Sequence, residues 1–187
     1  MEKLMTLNNG EDVFFRSVGT DKENSIAKED YDYCYGLAKR TVMQDVVSLA
    51  GEWPEEQQHE FFSSDFYEND NYIVFINNKR AGCFSIHDDG QAIILKKGYI
   101  EPNYQGMGIW AVRLDIALDM AHESKKPLKA AILKSNVDMF EMSQRYGFVE
   151  TEGFLMHGDA SWVQMHIVTH QDTLQYSQQP DMFISPE

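Results

Sequence analysis

The residues best placed to do chemistry run from Tyr99 to Trp110: Tyr99-Ile100-Glu101-Pro102-Asn103-Tyr104-Gln105-Gly106-Met107-Gly108-Ile109-Trp110. An apolar strand passes through a proline turn into a Gly-Xaa-Gly loop that opens a helix. Two glycines let the backbone curl until successive N–H groups point at one spot, and the following helix adds about half a positive charge at its N-terminus. That combination is a phosphate cradle, suited to a pyrophosphate.

The elements that must hold this loop are legible on both sides. Ile109, Val112, Ile116 and Met120 recur at helical spacing, with Arg113, Asp115 and Asp119 on other faces. Leu128–Leu133 reads as a short apolar strand. A second helix starts at Ser135 or Asn136, with Asp138 completing a capping-box-like pattern after Ser135. It stops at Gly147, where a left-handed cap is expected with Phe148 making the accompanying hydrophobic contact. Ahead of the loop, Ala92 to Ile100 is expected as the central strand, and Gly98 within it suggests a bulge.

In these positions the chain resembles the GNAT superfamily of N-acetyltransferases. The family's main signature falls on Gln105, Gly108 and Trp110. Asn136 followed by Gln144-Arg145-Tyr146-Gly147-Phe148 is similar to its second signature, and Tyr72–Ile76, the turn Asn77–Arg80 and Ala81–Ile86 resemble its central antiparallel strands. The resemblance covers about residues 12–168. It implies an α/β fold with a mixed, mostly antiparallel central sheet, a splayed parallel strand pair and flanking helices.

The resemblance also implies a site. Acetyl-CoA would be the co-substrate, held by Ile100, Gln105, Gly106, Met107, Gly108, Ile109 and Trp110, with its pantetheine arm passing Asn136. The backbone around Tyr99 and Ile100 would hold the acetyl carbonyl. Glu101 is the carboxylate nearest that strand and the first candidate base, with His87 and the acids near Trp53 as rivals. In the family a helix pair covers the acceptor; here Glu29 to about Val47, a break at Gly51, and a second helix from Pro54 to about Asp65 match it, so Trp53, Glu55 and Glu56 are the substrate-side candidates. Acids in a first helical turn also favour its dipole without any function. The implied reaction is direct attack by a primary amine of a small molecule or peptide.

Three positions depart from the family pattern. Trp110 stands where relatives keep Gly or Ala, so its indole either obstructs the cofactor or turns inward and packs. Met107 replaces a common Lys or Arg, leaving the cradle to backbone alone. Ser143 replaces the tyrosine that protonates the departing thiolate, and a solvated helix face is its ordinary reading; Tyr146, one turn on, is expected in the core. These losses keep a second class open, a GNAT-fold protein that no longer catalyses and serves as a ligand-binding or interaction module.

Composition bounds the rest. The chain has 187 residues, 43% of them hydrophobic, enough for one core, so a single domain over 1–168 is expected, with a polar tail at 169–187 that is disordered or docks on a neighbouring subunit; a homodimer stays open. Thirty acids against 16 bases give a net charge of −14, which argues against nucleic acid as partner. No apolar run approaches a membrane span and the N-terminus lacks a signal-peptide core, so a cytoplasmic location is expected. Cys34 and Cys83 read as reduced structural thiols rather than a bridge or metal site. His166 and His170 have helical metal spacing, but Trp162–Val168 alternates like a final strand, so no metal is expected. The glycine loop also fits the dinucleotide fingerprint, yet the next strand ends in Leu133-Lys134-Ser135, without the acid that would hold a ribose.

Overall fold

The computed structural model describes residues 3–7, 10–19, 24–134, 136–151 and 165–178. The chain forms two compact units, one comprising Met1–Ile86 with Lys97–Val112, the other His87–Lys96 with Arg113–Glu187.

In the first unit, strands β1 (Lys3–Thr6), β2 (Asp12–Ser17), β3 (Asp70–Ile76) and β4 (Lys79–Asp88, whose last two residues pass into the second unit) follow one another in spatial order, with β1/β2, β2/β3 and β3/β4 antiparallel. The β3–β4 connection is a two-residue turn at Asn77 and Asn78, whose φ values of 49° and 61° suit asparagine better than most side chains. Between β2 and β3 run α1 (Ser25–Ala50) and α2 (Glu55–Glu68). Helix α1 starts four residues earlier than Glu29 because the Asn24 side chain caps it, accepting from the Ile26 amide at 2.9 Å. Its end at Gly51 is a left-handed cap bonded back to the Val47 carbonyl. Tyr31, Cys34, Leu37, Phe62, Phe66, Ile73 and Cys83 build the core between these helices and the strands. Both cysteines are buried free thiols.

In the second unit the spatial strand order is β5 (Ile93–Ile100, whose last four residues lie in the first unit), β6 (Leu128–Leu133), β8 (Met165–His170) and β7 (Phe148–Glu150). The β5/β6 pair is parallel, with Ile93, Ile94 and Leu95 opposite Leu128, Lys129 and Ala130, and both strands run on beyond those three pairs. The other two pairings are antiparallel. Helix α3 (Ile109–Ser124) begins in the first unit and continues here; α4 (Val137–Arg145) lies between β6 and β7. The whole is the expected mixed α/β fold, mostly antiparallel with one parallel pair.

Several local expectations need correction. Arg113, placed by periodicity on an outer face of α3, is buried together with Leu114, Ala117 and Ala121, whereas Ile116 and Met120 are half-buried. The buried stripe of α3 thus runs through an arginine and two alanines, which the larger apolar residues on the neighbouring stripe obscured. A register shift that the sequence did not announce falls between Val74 and Phe75 in the β3/β4 pairing. Ser143 is not on a solvated face: it is buried, and its hydroxyl donates to the Phe140 carbonyl at 2.7 Å. Helix α4 is capped by Asn136, whose Oδ1 accepts from the Met139 amide at 3.1 Å; Ser135 lies outside the described residues.

The chain after Val168 continues β8 through the buried Thr169 and His170 and then forms a 3-10 segment, Gln171–Gln178. Thr173 fastens it, its hydroxyl accepting from the Leu128 amide at 2.8 Å and donating to the His170 carbonyl at 2.9 Å. Residues 179–187, and the 162–164 part of the expected last strand, lie outside the described residues.

Candidate functional site

The cradle is built from the end of β5 onward, within the first unit. Glu101 leaves the strand with its amide bonded to the Ala81 carbonyl of β4 at 2.9 Å. Pro102–Tyr104 then make one 3-10 turn, closed by Tyr104 and Gln105 amides on the carbonyls of Glu101 and Pro102. The Gln105 side chain reaches back to the Ile100 carbonyl at 3.3 Å, tying the loop to the strand that precedes it. This gives Gln105 a positioning role that its place in a motif does not by itself specify.

Gly106 and Gly108 have φ values of +78° and +83°, and a Cβ added to either would meet nothing within 4 Å. Their glycines are thus required by backbone conformation, and the space beside them is open. Among the described residues, the amides of Gly106, Met107, Gly108 and Ile109 find no acceptor; the next bond belongs to Ala111, on the Gly108 carbonyl at 3.0 Å. Four successive N–H donors, beside an open space and at the start of the 16-residue α3, are an arrangement whose chemistry suits an anion. Trp110 is half-buried with its indole nitrogen out of solvent. Met107 is half-buried.

Tyr99 and Ile100 are half-buried at the end of β5. Burial, with Cys83 and Asp65 as the next causes, pushes the Tyr99 phenol above its ordinary range, so it stays protonated at neutral pH. The Glu101 carboxylate accepts from the Arg40 guanidinium of α1 at 2.8 Å, a partnership between residues 61 positions apart that nothing local in the sequence announces.

The substrate-side candidates separate into two kinds. Glu55 holds α1 to α2: Tyr35 donates to one carboxylate oxygen at 3.0 Å and Lys39 to the other at 2.5 Å. Lys39 first of all keeps the Glu55 carboxyl below the usual range. Trp53 is half-buried just before them, its indole nitrogen enclosed. Glu56 instead faces an open cavity of about 800 Å³ along α2, which it shares with Glu55, His59, Glu60, Tyr67 and Glu68. Sequence reasoning missed the aromatic tier beneath this helix. Tyr31 stacks on Tyr35 and Tyr67 and meets His59 edge-on, and burial raises its phenol to about 12. The recurrence of aromatics at positions 31, 35, 62 and 66 was its only signal.

The second unit contributes Asn136, which caps α4 and is exposed. Tyr146 closes that helix and is half-buried, its carbonyl accepting from His170 Nε2 at 2.9 Å. His170 Nδ1 accepts from the Asp172 amide at 3.3 Å, so both ring nitrogens are committed to backbone. His166 bonds Glu150 at 2.7 Å and stacks on Phe140. Among the described residues no group of three or more His, Cys, Asp or Glu could hold a metal, and no helix is long and apolar enough to cross a membrane.

No protein-family model matches this sequence, and no curated relative does. Solved structures do match in fold. A GNAT family acetyltransferase from Elizabethkingia anophelis, solved with acetyl-CoA bound, is 14% identical and superposes with a TM-score of 0.53 over 84% of this chain and 97% of its own. The GNAT domain of S. lividans PAT gives 13% identity and a TM-score of 0.59 over 90% and 96%. The ribosomal-protein-S18-alanine N-acetyltransferase from Escherichia coli gives 17% and 0.58 over 84% and 92%. The fold of this chain is the GNAT fold.

Proposed function

We propose that this chain is an N-acetyltransferase that uses acetyl-CoA to acetylate a primary amine of a small molecule or peptide. The observation that carries the reading is the run of unengaged amides from Gly106 to Ile109 at the head of α3. Those donors suit the pyrophosphate of coenzyme A, and the open space beside both glycines leaves room for it. The neighbour from E. anophelis, crystallised with acetyl-CoA, supports the same ligand.

On this reading the amides of Gly106, Met107, Gly108, Ile109 and Trp110 bind phosphate oxygens, and Gln105 keeps the loop on β5. Ile100 and Tyr99 present strand backbone to the acyl group, and the Asn136 side-chain amide, whose oxygen serves the helix cap, offers its N–H to the pantetheine arm. Bound acetyl-CoA supplies an activated thioester. The acceptor amine attacks its carbonyl directly within a ternary complex, so positioning and backbone N–H donors supply most of the acceleration. Glu101 is the proposed proton acceptor. Trp53 and Glu56 remain the acceptor-side candidates; Glu55, engaged by Lys39 and Tyr35, acts by holding the helices around them. Together with the net charge of −14, this makes a protein of the cytoplasm that binds no nucleic acid, in one acyltransferase domain that a homodimer would repeat.

Calorimetric titration of acetyl-CoA into the wild-type chain beside Trp110→Gly tests the cofactor. Micromolar binding by wild type, about −8 kcal/mol, is expected, because a Cβ on either Gly106 or Gly108 meets nothing within 4 Å. Coenzyme A release is then followed across polyamines, aminoglycosides and peptide N-termini. Binding without release above background would favour the second reading, a non-catalytic ligand-binding or interaction module. One observation supports that alternative: the buried Ser143 hydroxyl is turned back onto its own helix and offers no acid to a leaving thiolate. Absence of binding by either chain would sink the cofactor assignment.

A further inference from the structure

One glycine of α1 is required neither by its backbone nor by a neighbouring element. Gly36 lies well inside the helix, where glycine is weaker than alanine. Its φ is not positive, so the backbone there admits any residue. Among the described residues, and apart from its chain neighbours and the backbone of its own helix, a single atom stands within 4 Å of where its Cβ would be: Nη1 of Arg40, at 3.3 Å. Helix side chains lean towards the N-terminus, so the residue one turn on is the one that reaches back over position 36. The bare backbone of Gly36 is a seat for a guanidinium.

The same guanidinium makes a bond on its other side. Arg40 Nη2 donates to Glu101 Oε1 at 2.8 Å. The Arg40 side chain is 57% exposed, so burial does not fix its course; the seat over Gly36 and the bond to Glu101 do. Glu101 is held at its main chain as well, its amide bonded to the Ala81 carbonyl of β4 at 2.9 Å. Among the described residues its second carboxylate oxygen, Oε2, takes no donor. With one oxygen engaged, the other points in a defined direction, and a proton acceptor must lie within hydrogen-bond reach of the nitrogen it serves. An ion pair this open to water adds little to stability, so orientation is the larger part of what it supplies.

We propose that Arg40 is a positioning residue for Glu101, and that Gly36 lacks a side chain in order to seat it. The proposal rests on the acetyltransferase reading with Glu101 as its proton acceptor. Oε1 stays with the guanidinium while Oε2 takes one proton from the acceptor ammonium. The freed lone pair then forms the bond to the acyl carbon, the bond from that carbon to sulfur breaks, and the departing thiolate takes the proton that the new amide nitrogen sheds. Arg40 touches none of the reacting atoms and acts only through the carboxylate.

The test follows steady-state acetylation of the tripeptide Ala-Ala-Ala and of spermidine by wild type, Gly36→Ala, Arg40→Gln and Glu101→Gln, with a thermal midpoint for each. Near neutral pH, Gly36→Ala and Arg40→Gln should each lower kcat about tenfold and leave both KM values within about twofold of wild type, as a small displacement of a catalytic group does. Gly36→Ala should melt at or above wild type, because alanine favours the helix and only a side-chain tip has to give way. With Ala-Ala-Ala, both deficits should shrink as pH rises from about 7 to about 9.5, since an α-amine with a pKa of about 8 sheds its own proton over that range. An unchanged kcat in either variant, or a deficit of equal size at both pH values, overturns the positioning role. A thermal midpoint of Gly36→Ala below that of wild type overturns it too, by making the glycine a packing requirement. Wild-type kcat in Glu101→Gln overturns it together with Glu101 as proton acceptor and leaves acetyl transfer standing. Wild type that acetylates neither of these amines, nor any other of the polyamines, aminoglycosides and peptide N-termini named above, overturns the acetyltransferase reading and the role of Arg40 with it.

Discussion

Gly82 of β4 lies against the backbone of Tyr99: a Cβ placed on it would stand 2.5 Å from the Tyr99 carbonyl oxygen and 2.7 Å from Ile100 Cδ1. The strand that leads into the cradle is therefore seated by the absence of a side chain on its neighbour. Gly82→Ala must push main chain aside, which costs about 1–3 kcal/mol or more. Gly106→Ala meets no atom and pays only for its left-handed backbone, about 1–2 kcal/mol. We expect urea denaturation to show the larger loss for Gly82→Ala, whereas acetyl-CoA titration should show Gly106→Ala folded but weakened in binding.

Asp30 is completely buried in α1, with Arg16 forking onto both carboxylate oxygens at 2.8 Å and Arg80 reaching one of them at 2.9 Å. Removing the charge would leave two guanidinium groups without their shared counterion. Asp30→Asn should cost about 3–5 kcal/mol, seen as a lower urea midpoint with the denaturant slope preserved. A loss under about 1 kcal/mol would show that the arginines find water instead.

His170 sets a pH dependence. Burial first of all holds its imidazole below the usual histidine range, so the folded chain favours the neutral ring. As pH falls through about 6.5 the unfolded chain takes up this proton first. The stability that His170 contributes is therefore complete above that value and is lost as pH falls towards the folded-state pKa. Urea midpoints between pH 7.5 and 5.5 should decline less steeply for His170→Gln than for wild type, even though the variant is weaker at the upper end.

Asn136 has a capping role and a proposed ligand role, and two substitutions separate them. Asn136→Ala loses the bond to the Met139 amide and about 1 kcal/mol of stability. Asn136→Asp keeps a capping oxygen and should keep that stability, but has no N–H to offer. If acetyl-CoA affinity falls in both variants, the side-chain amide meets the ligand; if it falls only with stability, Asn136 is a cap alone.

What could be read from sequence was what is decided within a few residues. Gly106, Gly108, the start of α3, strand β6 and the Asn136-to-Gly147 helix were legible because turn chemistry, periodicity and capping act over one or two turns of chain. The asparagine turn between β3 and β4 belongs with them. Partnerships across long separations were not legible. Arg113 looked like a surface residue because Val112, Ile116 and Met120 drew a plausible apolar stripe, and nothing in a linear pattern says which of two neighbouring stripes meets the core. Ser143 looked solvated because a polar residue marks no core face, whereas the bond to the Phe140 carbonyl three residues back satisfies its hydroxyl locally and lets it be buried. Glu101 and Glu55 were both noticed as acids, but their cations, Arg40 and Lys39, became partners only through the placing of α1.

The two compact units are each assembled from separated stretches of chain, 1–86 with 97–112 and 87–96 with 113–187. No single cut can therefore release either one whole, and a truncation meant to isolate the cradle would strip the sheet partner from β5. The same threading fixes an order of synthesis. Residues 87–96 leave the ribosome early, yet the Ile93 amide bonds the Pro127 carbonyl, and the amide of the next residue, Leu128, waits for Thr173 near the other end of the chain. An interrupted translation product reaching only Val112 would contain every residue of the cradle's own unit and still leave the β6-facing edge of β5 without its partner, an exposed edge that invites chaperones, proteases or aggregation.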